Sequence, residues 1–599
     1  MALTLDLIPQ HESVNLPGLF RQRVKRSADK VAYRYYSRHD EKWHDISWRE
    51  MADEVARWQA ALQRENLQPG DRVGIILRNS PEWVKFDQAA LGLGLVVVPL
   101  YTNDRADNIA YIVRDADIKC LLFEGEEHWL LLHSILDRLD GVQRFISLHK
   151  IHHATNERLS FIDDWVPDHP AEQASVDIRS ENVASIVYTS GTTGRPKGVM
   201  LTHNNIVWNA WSCVRCEPFY TEDVYLSFLP LSHTLERTVG YYMAMTAGST
   251  VAFARSIDKL AEDMLVIRPT MLISVPRIYE RVYNKIKAQL AGKSPLASKL
   301  FHAAVNIGWQ RFEIGQQRAR WSPQQLLWPV LNRLVAKKIL DKLGGRIRMA
   351  ICGGAPLPIE IGKTFIGLGL PLVQGYGMTE LSPVVAVNRF ARNDPASVGT
   401  PLPEVEVRLG DKNELQVRSP GVMKGYWNNE QATAEIIDDQ GWLNTGDVAK
   451  IENDFIYITG RIKDIIVMAN GEKVPPTDVE MAIASDPLFD QAMVIGEGKP
   501  FLSCITVLNY DHWQHLAKQL RLNADDPASL DEAVIIKTLQ ERINLQLHEF
   551  PGYAKIHGIK ASLEPWTIED GTITPTMKLK RNVLMERFQP DIAKLYEGH

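Results

Sequence analysis

Between Tyr188 and Gly198 the chain reads Tyr-Thr-Ser-Gly-Thr-Thr-Gly-Arg-Pro-Lys-Gly. The ten residues from Thr189 hold three glycines, four hydroxyls (Thr189, Ser190, Thr192, Thr193) and two cations, Arg195 and Lys197. Gly191 and Gly194 allow backbone close to a ligand. The hydroxyls and freed N–H groups can donate to phosphate oxygens, and Lys197 adds a point charge. The chemistry such a loop supports is the holding of a polyphosphate. It is not a Walker P-loop: Pro196 stands five residues after Gly191, and Gly198, not Ser or Thr, follows Lys197.

Further stretches carry chemistry of the same kind. Gly353-Gly354-Ala355-Pro356 suits close backbone approach to a flat purine. Gly375-Tyr376-Gly377-Met-Thr379-Glu380 offers an aromatic face, a hydroxyl and a carboxylate, the last a hard oxygen ligand of the type Mg²⁺ takes from protein. Thr445-Gly-Asp447 and Gly460-Arg461-Ile-Lys463-Asp464 place a carboxylate and cations at short spacing. Thr574-Pro-Thr-Met-Lys578-Leu-Lys-Arg581 ends the series. Taken alone, each motif could be an ordinary turn and each cation a solvated surface charge. Cys213 and Cys216 form a lone Cys-x2-Cys with no second pair, so ordinary half-buried cysteines are expected and not a zinc site.

In this order, across almost the whole chain, the glycine loop and the five motifs after it resemble the AMP-forming acyl-CoA synthetase (ANL) superfamily. The resemblance implies that residues Thr189, Ser190, Gly191, Thr192, Thr193, Gly194 and Lys197 hold the phosphates of ATP. By the same likeness Gly353, Gly354 and Ala355 flank the adenine, and Tyr376, between Gly375 and Gly377, packs on it. Thr379 would bind the α-phosphate, and Glu380 would help hold Mg²⁺, with Thr192 a further contact through phosphate. Asp447 and Arg461 match the ribose contacts, Lys463 the hinge position and Lys578 the catalytic lysine. His233, in Pro230-Leu-Ser-His-Thr-Leu-Glu-Arg237, matches a position near the substrate carboxylate and the thiol entrance.

The implied reaction is a two-step ligation. A carboxylate attacks the α-phosphate of ATP, giving an acyl-adenylate and pyrophosphate, and a thiol then displaces AMP. The carboxylate is ionised at neutral pH, so the first step needs no general base. Catalysis would come from positioning and from cations stabilising charge on phosphate oxygens. No aspartate lies between His233 and Gly240 to hold a substrate ammonium. The Leu231-Ser-His-Thr-Leu-Glu-Arg237 run, Pro276-Arg-Ile-Tyr-Glu-Arg-Val282 and the helical tract after it together resemble the long-chain fatty acyl-CoA synthetases, which implies a long apolar acid and coenzyme A as substrates. A carrier-loading adenylation enzyme, passing the acyl group to a phosphopantetheine arm, stays open.

The elements that must position these residues are legible in outline. At 599 residues, two or more domains are expected. Ser47-Trp-Arg-Glu50 is a capping box, and Met51, Val55, Trp58 and Leu62 follow at one-face helical spacing. Apolar runs at Val73 to Leu77, Val96 to Val98, Cys120 to Phe123 and Ala184 to Val187 read as strands separated by helices, the last placing the glycine loop at a sheet edge. Strands without internal alternation imply a mostly parallel sheet covered on both faces. Leu226 to Leu229, Ser249 to Phe253, Thr270 to Val275, Arg346 to Cys352 and Leu372 to Gln374 read likewise. Pro276 starts a helical tract reaching about Leu343. From about Val398 short strands (405–409, 414–417, 455–459) suggest a β-rich subdomain, and Ile535, Leu539, Ile543 and Leu547 form one helix stripe. The expected architecture is an α/β chain: a large N-terminal domain of mostly parallel sheets flanked by helices plus a β-rich subdomain, residues 1–459. A hinge over 460–465 leads to a small α+β domain over 466–599, together the adenylate-forming fold.

Apolar content of 45% and net charge of −6 are ordinary for a globular protein and give no basic footprint for nucleic acid. Five cysteines imply no disulfide framework, so a reducing cytoplasm is expected. The first residues do not read as a signal peptide, and no stretch is apolar for long enough to span a bilayer. One segment departs from the average. From Lys285 to Lys342 there are eleven Lys and Arg against Glu313 and Asp341, interleaved with Trp309, Trp321 and Trp328. That pattern fits two readings: peripheral contact with an anionic membrane through residues 285–342, or a solvated helical face whose tryptophans are core.

Overall fold

In a computed structural model, described for residues 3–597 except 153, 170, 175, 190–194, 575 and 576, the chain builds two large, mostly parallel sheets. The first has eight strands in the order Gly425–Tyr426, Lys197–Thr202, Val183–Thr189, Val96–Pro99, Arg72–Ile76, Ile118–Phe123, Arg144–Ser147 and Leu159–Phe161. The second has nine, and its centre runs Leu372–Gly377, Met349–Cys352, Met271–Ser274, Val224–Ser227 and Thr250–Phe253, all parallel. The largest apolar core draws Val73 and Val97 from one sheet, Tyr225 and Met271 from the other, and Phe86 and Val207 from helices Pro81–Gly92 and His203–Val214. Burial on both sides explains why these strands read as unbroken apolar runs.

Local signals hold where packing agrees with them. Helix Trp48–Gln63 starts at the expected capping box, and Met51, Val55, Trp58 and Leu62 are all buried. Helix Pro81–Gly92 is capped by Ser80, whose hydroxyl accepts from Trp83 N–H. The strand Val183–Thr189 is not at a sheet edge. It lies third from one end and pairs antiparallel with Lys197–Thr202, so the glycine loop closes a hairpin.

The tract after Pro276 is not one helix. It forms Pro276–Ala291 and Pro295–Gly315, then short turns of differing pitch from Pro323 to Leu343. Prolines at 295, 323 and 329, each suited to a first helical turn and not to an interior, set the breaks.

The β-rich region is a four-stranded antiparallel sheet, Glu406–Leu409, Glu414–Arg418, Leu443–Glu452 and Phe455–Arg461. Beyond it, strands Phe489–Ile495, Leu502–Leu508 and Ile556–Ser562 form a separate sheet. Helix Ala533–Gln546 covers it with the expected Ile535, Leu539 and Ile543 stripe, fully buried. Two apolar clusters consist only of residues from Ile466 onward, so this part has its own core.

A buried ion pair ties the two large sheets together. Arg237 Nη2 donates to Asp87 Oδ1 at 2.5 Å, with side chains 3% and 0% exposed. Asp87 Oδ2 also accepts from Tyr242 OH at 2.8 Å, and Arg237 Nη1 donates to Ser185 Oγ at 2.7 Å. Arg237 and Tyr242 belong to the π-helical stretch Glu236–Tyr242, which begins three residues after His233.

Candidate active site

One cavity of about 750 Å³ gathers most of the residues singled out by motif. Its lining includes Thr189, Lys197, His233, Gly353, Gly354, Gly375, Tyr376, Gly377, Thr379, Glu380, Arg461, Lys463 and Lys578. Ala355 is exposed and is not part of the lining, because the chain turns outward after Gly354 (φ +80°). Ser190, Gly191, Thr192, Thr193 and Gly194 lie outside the described residues. Their flanks, Thr189 and Lys197, pair across adjacent strands, and both line the cavity.

The strand Leu372–Gly377 delivers the aromatic motif. Gly377 packs so tightly that a Cβ would sit 2.0 Å from the Pro383 carbonyl oxygen, which is why no side chain is tolerated there. Tyr376 OH donates to Asp447 Oδ2 at 2.5 Å, and Arg461 Nε donates to Asp447 Oδ1 at 2.7 Å. Asp447 and Arg461 meet because strands Leu443–Glu452 and Phe455–Arg461 hold them in register. Burial, with the Asp447 charge beside it, pushes the Tyr376 phenol well above its ordinary pKa. Tyr376, Arg461 and Gly446 (φ +73°) line the cavity, while Asp447 itself is buried behind them and is not part of the lining.

A single 3₁₀ turn, Thr379–Leu381, presents Thr379 and Glu380. Thr379 Oγ1 lies 3.3 Å from Thr234 Oγ1, and Glu380 Oε1 accepts from Tyr426 OH at 2.8 Å. Lys197 Nζ stands over the same Tyr426 ring, 4.9 Å from its centroid. Burial, and then Glu380, raise the Tyr426 pKa, so its hydroxyl stays a donor. With one oxygen of Glu380 engaged by Tyr426, the other is open to a ligand. Among the described residues no group of three or more His, Cys, Asp or Glu could cage a metal. One carboxylate fits Mg²⁺ only in the manner of nucleotide sites, where phosphates and water complete the shell.

His233 Nδ1 accepts from the Leu235 backbone N–H at 3.2 Å, which assigns the ring proton to Nε2. Burial, and then the Lys578 charge, depress its pKa to about 4, so the imidazole is neutral at pH 7. Lys578 is exposed and lines the cavity, where the protein around it partly desolvates its ammonium. That desolvation, and then Arg461, lower its pKa, while Asp447, Glu380 and Asp464 oppose the shift. The Lys578 backbone N–H donates to Thr574 Oγ1 at 3.1 Å.

Several lining residues were not legible as motifs. Tyr426 comes from a two-residue strand far from Glu380 in sequence. The cavity also has an apolar arm with Phe219, Val239, Met243, Met349, Ile351 and Val373. Cys213 and Cys216 line that arm, one buried and one half-buried, both as free thiols whose pKa burial raises. Only the apolar arm's individual strands were visible in sequence, not their convergence.

The fold and cavity together define an adenylate-forming enzyme: two mostly parallel sheets, an antiparallel sheet and a small domain whose lysine reaches a polar cleft. The sequence profile of the AMP-binding enzyme family matches residues 20–427, and that of the AMP-binding enzyme C-terminal domain matches residues 463–599. The chain is 32% identical over 600 aligned residues to a long-chain-fatty-acid–CoA ligase, FadD15, of Mycobacterium bovis, covering 98% of this chain and 97% of that one. It is 31% identical to fatty acyl-CoA synthetase A of Dictyostelium discoideum, covering 93% and 86%. Among solved structures, an anthranilate CoA ligase, AuaEII, in complex with anthranoyl-AMP superposes with a TM-score of 0.73 at 19% identity, covering 97% and 98%. The adenylation domain of a carboxylate reductase from Mycobacterium chelonae gives 0.74 at 21%, covering 97% and 91%. The chain belongs to the AMP-binding enzyme family, among the AMP-forming acid–CoA ligases.

Proposed function

We propose that this protein activates a long-chain fatty acid with ATP and transfers the acyl group to coenzyme A. The observation that carries the reading is the lining of the cavity: a polar end with Arg461, Glu380, Lys197 and Lys578 continues into an arm of apolar side chains. The polar end suits the nucleotide and the acid's carboxylate, and the apolar arm suits an alkyl chain. Relatives named as ligases of long-chain fatty acids support the same choice.

In this reading the acid's carboxylate oxygen bonds to the α-phosphorus, and the bond to the β-phosphate oxygen breaks, releasing pyrophosphate. Lys578 and Lys197 stabilise charge on the phosphate oxygens, and Thr379 donates to the α-phosphate. Asp447 and Arg461 hold the ribose, Tyr376 packs on the adenine, and Gly353 and Gly354 let it approach backbone. Neutral His233 donates from Nε2 toward the substrate carboxylate and later the thioester carbonyl. Mg²⁺, held by Glu380 and the phosphates, would neutralise polyphosphate charge. The coenzyme A sulfur then attacks the acyl carbon, the carbon–oxygen bond to AMP breaks, and the thiol proton leaves to solvent. The residue set over 460–465, with Lys463 facing the cavity, is where we place the hinge between residues 1–459 and 466–599.

The test is to separate the half-reactions. Lys578→Ala should lower acyl-adenylate formation by about 10²-fold or more, as for one lost electrostatic stabiliser. Thioester formation from supplied acyl-adenylate should survive, and a panel of acids should rank long chains first. Equal loss of both half-reactions would remove Lys578 from this role. Release of pyrophosphate with long-chain acid but acyl transfer only to a carrier protein would favour the carrier-loading alternative.

A further inference from the structure

We propose that the exposed ridge between Trp321 and Leu334 docks the protein on the surface of an anionic phospholipid bilayer. Trp321, Leu326, Leu327, Val330 and Leu334 are between 47% and 72% exposed, five large apolar side chains within fourteen residues. The opposite face of the same segment is already used. Leu331 and Ala336 are buried, and Trp328, Val335 and Ile339 pack with them on helix Pro295–Gly315. The segment is therefore apolar on two sides, and among the described residues only one side has a partner within the chain. A contiguous exposed patch of this kind marks an interaction surface.

The structure changes which tryptophan matters. Trp309 packs against Phe312, with ring centroids 5.1 Å apart, and Trp328 is wedged against Gly308, so both are half-buried packing groups. Trp321 remains outside. The leucines and valine beside it replace the other two tryptophans as the inserting groups. No helix among the described residues is long and apolar enough to cross a membrane, so the contact is interfacial.

Charge selects the occupant. Arg320, Arg333, Lys338 and Lys342 are exposed around the ridge, and among the described residues none has a carboxylate within 4.0 Å. Lys337 and Arg318, by contrast, are paired with Asp341 and Glu313. A second copy of the chain across a two-fold axis would set this basic rim against itself, which disfavours a homodimer here. An anionic lipid surface complements both the rim and the ridge.

The ridge is also connected to the cavity. Gln316, at the end of helix Pro295–Gly315, bonds the Phe390 carbonyl at 2.9 Å and the Asn393 N–H at 2.8 Å. The Phe390 N–H in turn donates to Glu217 Oε1 at 2.6 Å, and Glu217 and Asn388 line the cavity. One loop, residues 388–393, thus joins the end of the helix that precedes the ridge to the cavity wall. Resting on the reading of the substrate as an apolar acid, docking here would bring the cavity to the phase in which such an acid partitions.

The experiment is co-sedimentation of the full chain with vesicles of phosphatidylcholine alone or mixed with phosphatidylglycerol, at low and high salt. We expect binding to the anionic vesicles at low salt. The Arg333→Glu/Lys338→Glu double variant should lose at least about tenfold in partitioning. Leu326→Gln/Leu327→Gln/Val330→Gln should lose a similar factor at either salt. Both variants should form adenylate from a water-soluble acid at the unaltered rate, which separates docking from misfolding. Binding indifferent to lipid charge, or unchanged in both variants, would overturn the proposal. So would a concentration-dependent dimer that the leucine variant disperses, seen without vesicle binding. Vesicle binding without any activation of fatty acids would instead count against the substrate reading and leave the docking surface standing.

Discussion

The protein contains two clusters of the same three side-chain types, an aspartate held by an arginine and a tyrosine. In Asp87–Arg237–Tyr242 both charged side chains are sealed, 0% and 3% exposed. In Asp447–Arg461–Tyr376 the aspartate is 6% exposed but its arginine is 47% exposed and faces the cavity. The hydrogen-bond lengths are alike, near 2.5 to 2.8 Å in both. What differs is access to water. The sealed cluster cannot exchange a partner without burying a bare charge, so it fixes the π-helical stretch that follows His233. The open cluster can give up protein hydrogen bonds to ligand hydroxyls, because water and ligand can both replace them. The lesson is that residue chemistry is shared and burial assigns the role.

The comparison is broken most directly at Asp87. Asp87→Ala leaves the Arg237 guanidinium buried and unpaired, and unfolding in urea should show a loss of about 3–5 kcal/mol. A loss below about 1 kcal/mol would mean the pair holds nothing.

Next to that cluster, Glu236 gives a pH test. Burial raises its pKa to about 8 from 4.5, while the Ser227 hydroxyl, donating at 2.6 Å, pulls it back. Below pH 4.5 both folded and unfolded chains hold this proton. As pH rises toward 8 the unfolded chain releases it and the folded chain keeps it, so stability falls across that window and levels off above it. Glu236→Gln should remove the slope, gaining about 2–4 kcal/mol at pH 8 and almost nothing at the acid end. An unchanged pH profile would show that Glu236 ionises in the fold.

The smallest stability effect is expected at the open cluster. Asp447→Asn should change unfolding free energy by less than about 1 kcal/mol, since Arg461 stays half in water. It should nevertheless lower kcat/KM for ATP by about 10- to 100-fold, the worth of charge-assisted hydrogen bonds. Destabilisation as large as for Asp87→Ala would erase the distinction between the two clusters.

Sequence determined the features that depend on neighbours along the chain. The capping box at Ser47 and Glu50, the stripe Ile535, Leu539 and Ile543, and the buried parallel strands follow from spacing, because helix and strand periods are local. The motif order was equally legible, since each motif is a turn whose glycines and polar residues lie within a few positions. Tertiary structure decided which of these residues meet. Tyr426 reaches Glu380, and Lys578 crosses from the last domain into a cavity made by the first, through contacts hundreds of residues apart in some cases. It also decided that Trp309 and Trp328 are packing groups while Trp321 is not, which no count of tryptophans could reveal. Burial is a property of the packed surface, set by every segment that covers a residue, and a single stretch of sequence contains only one side of that contact.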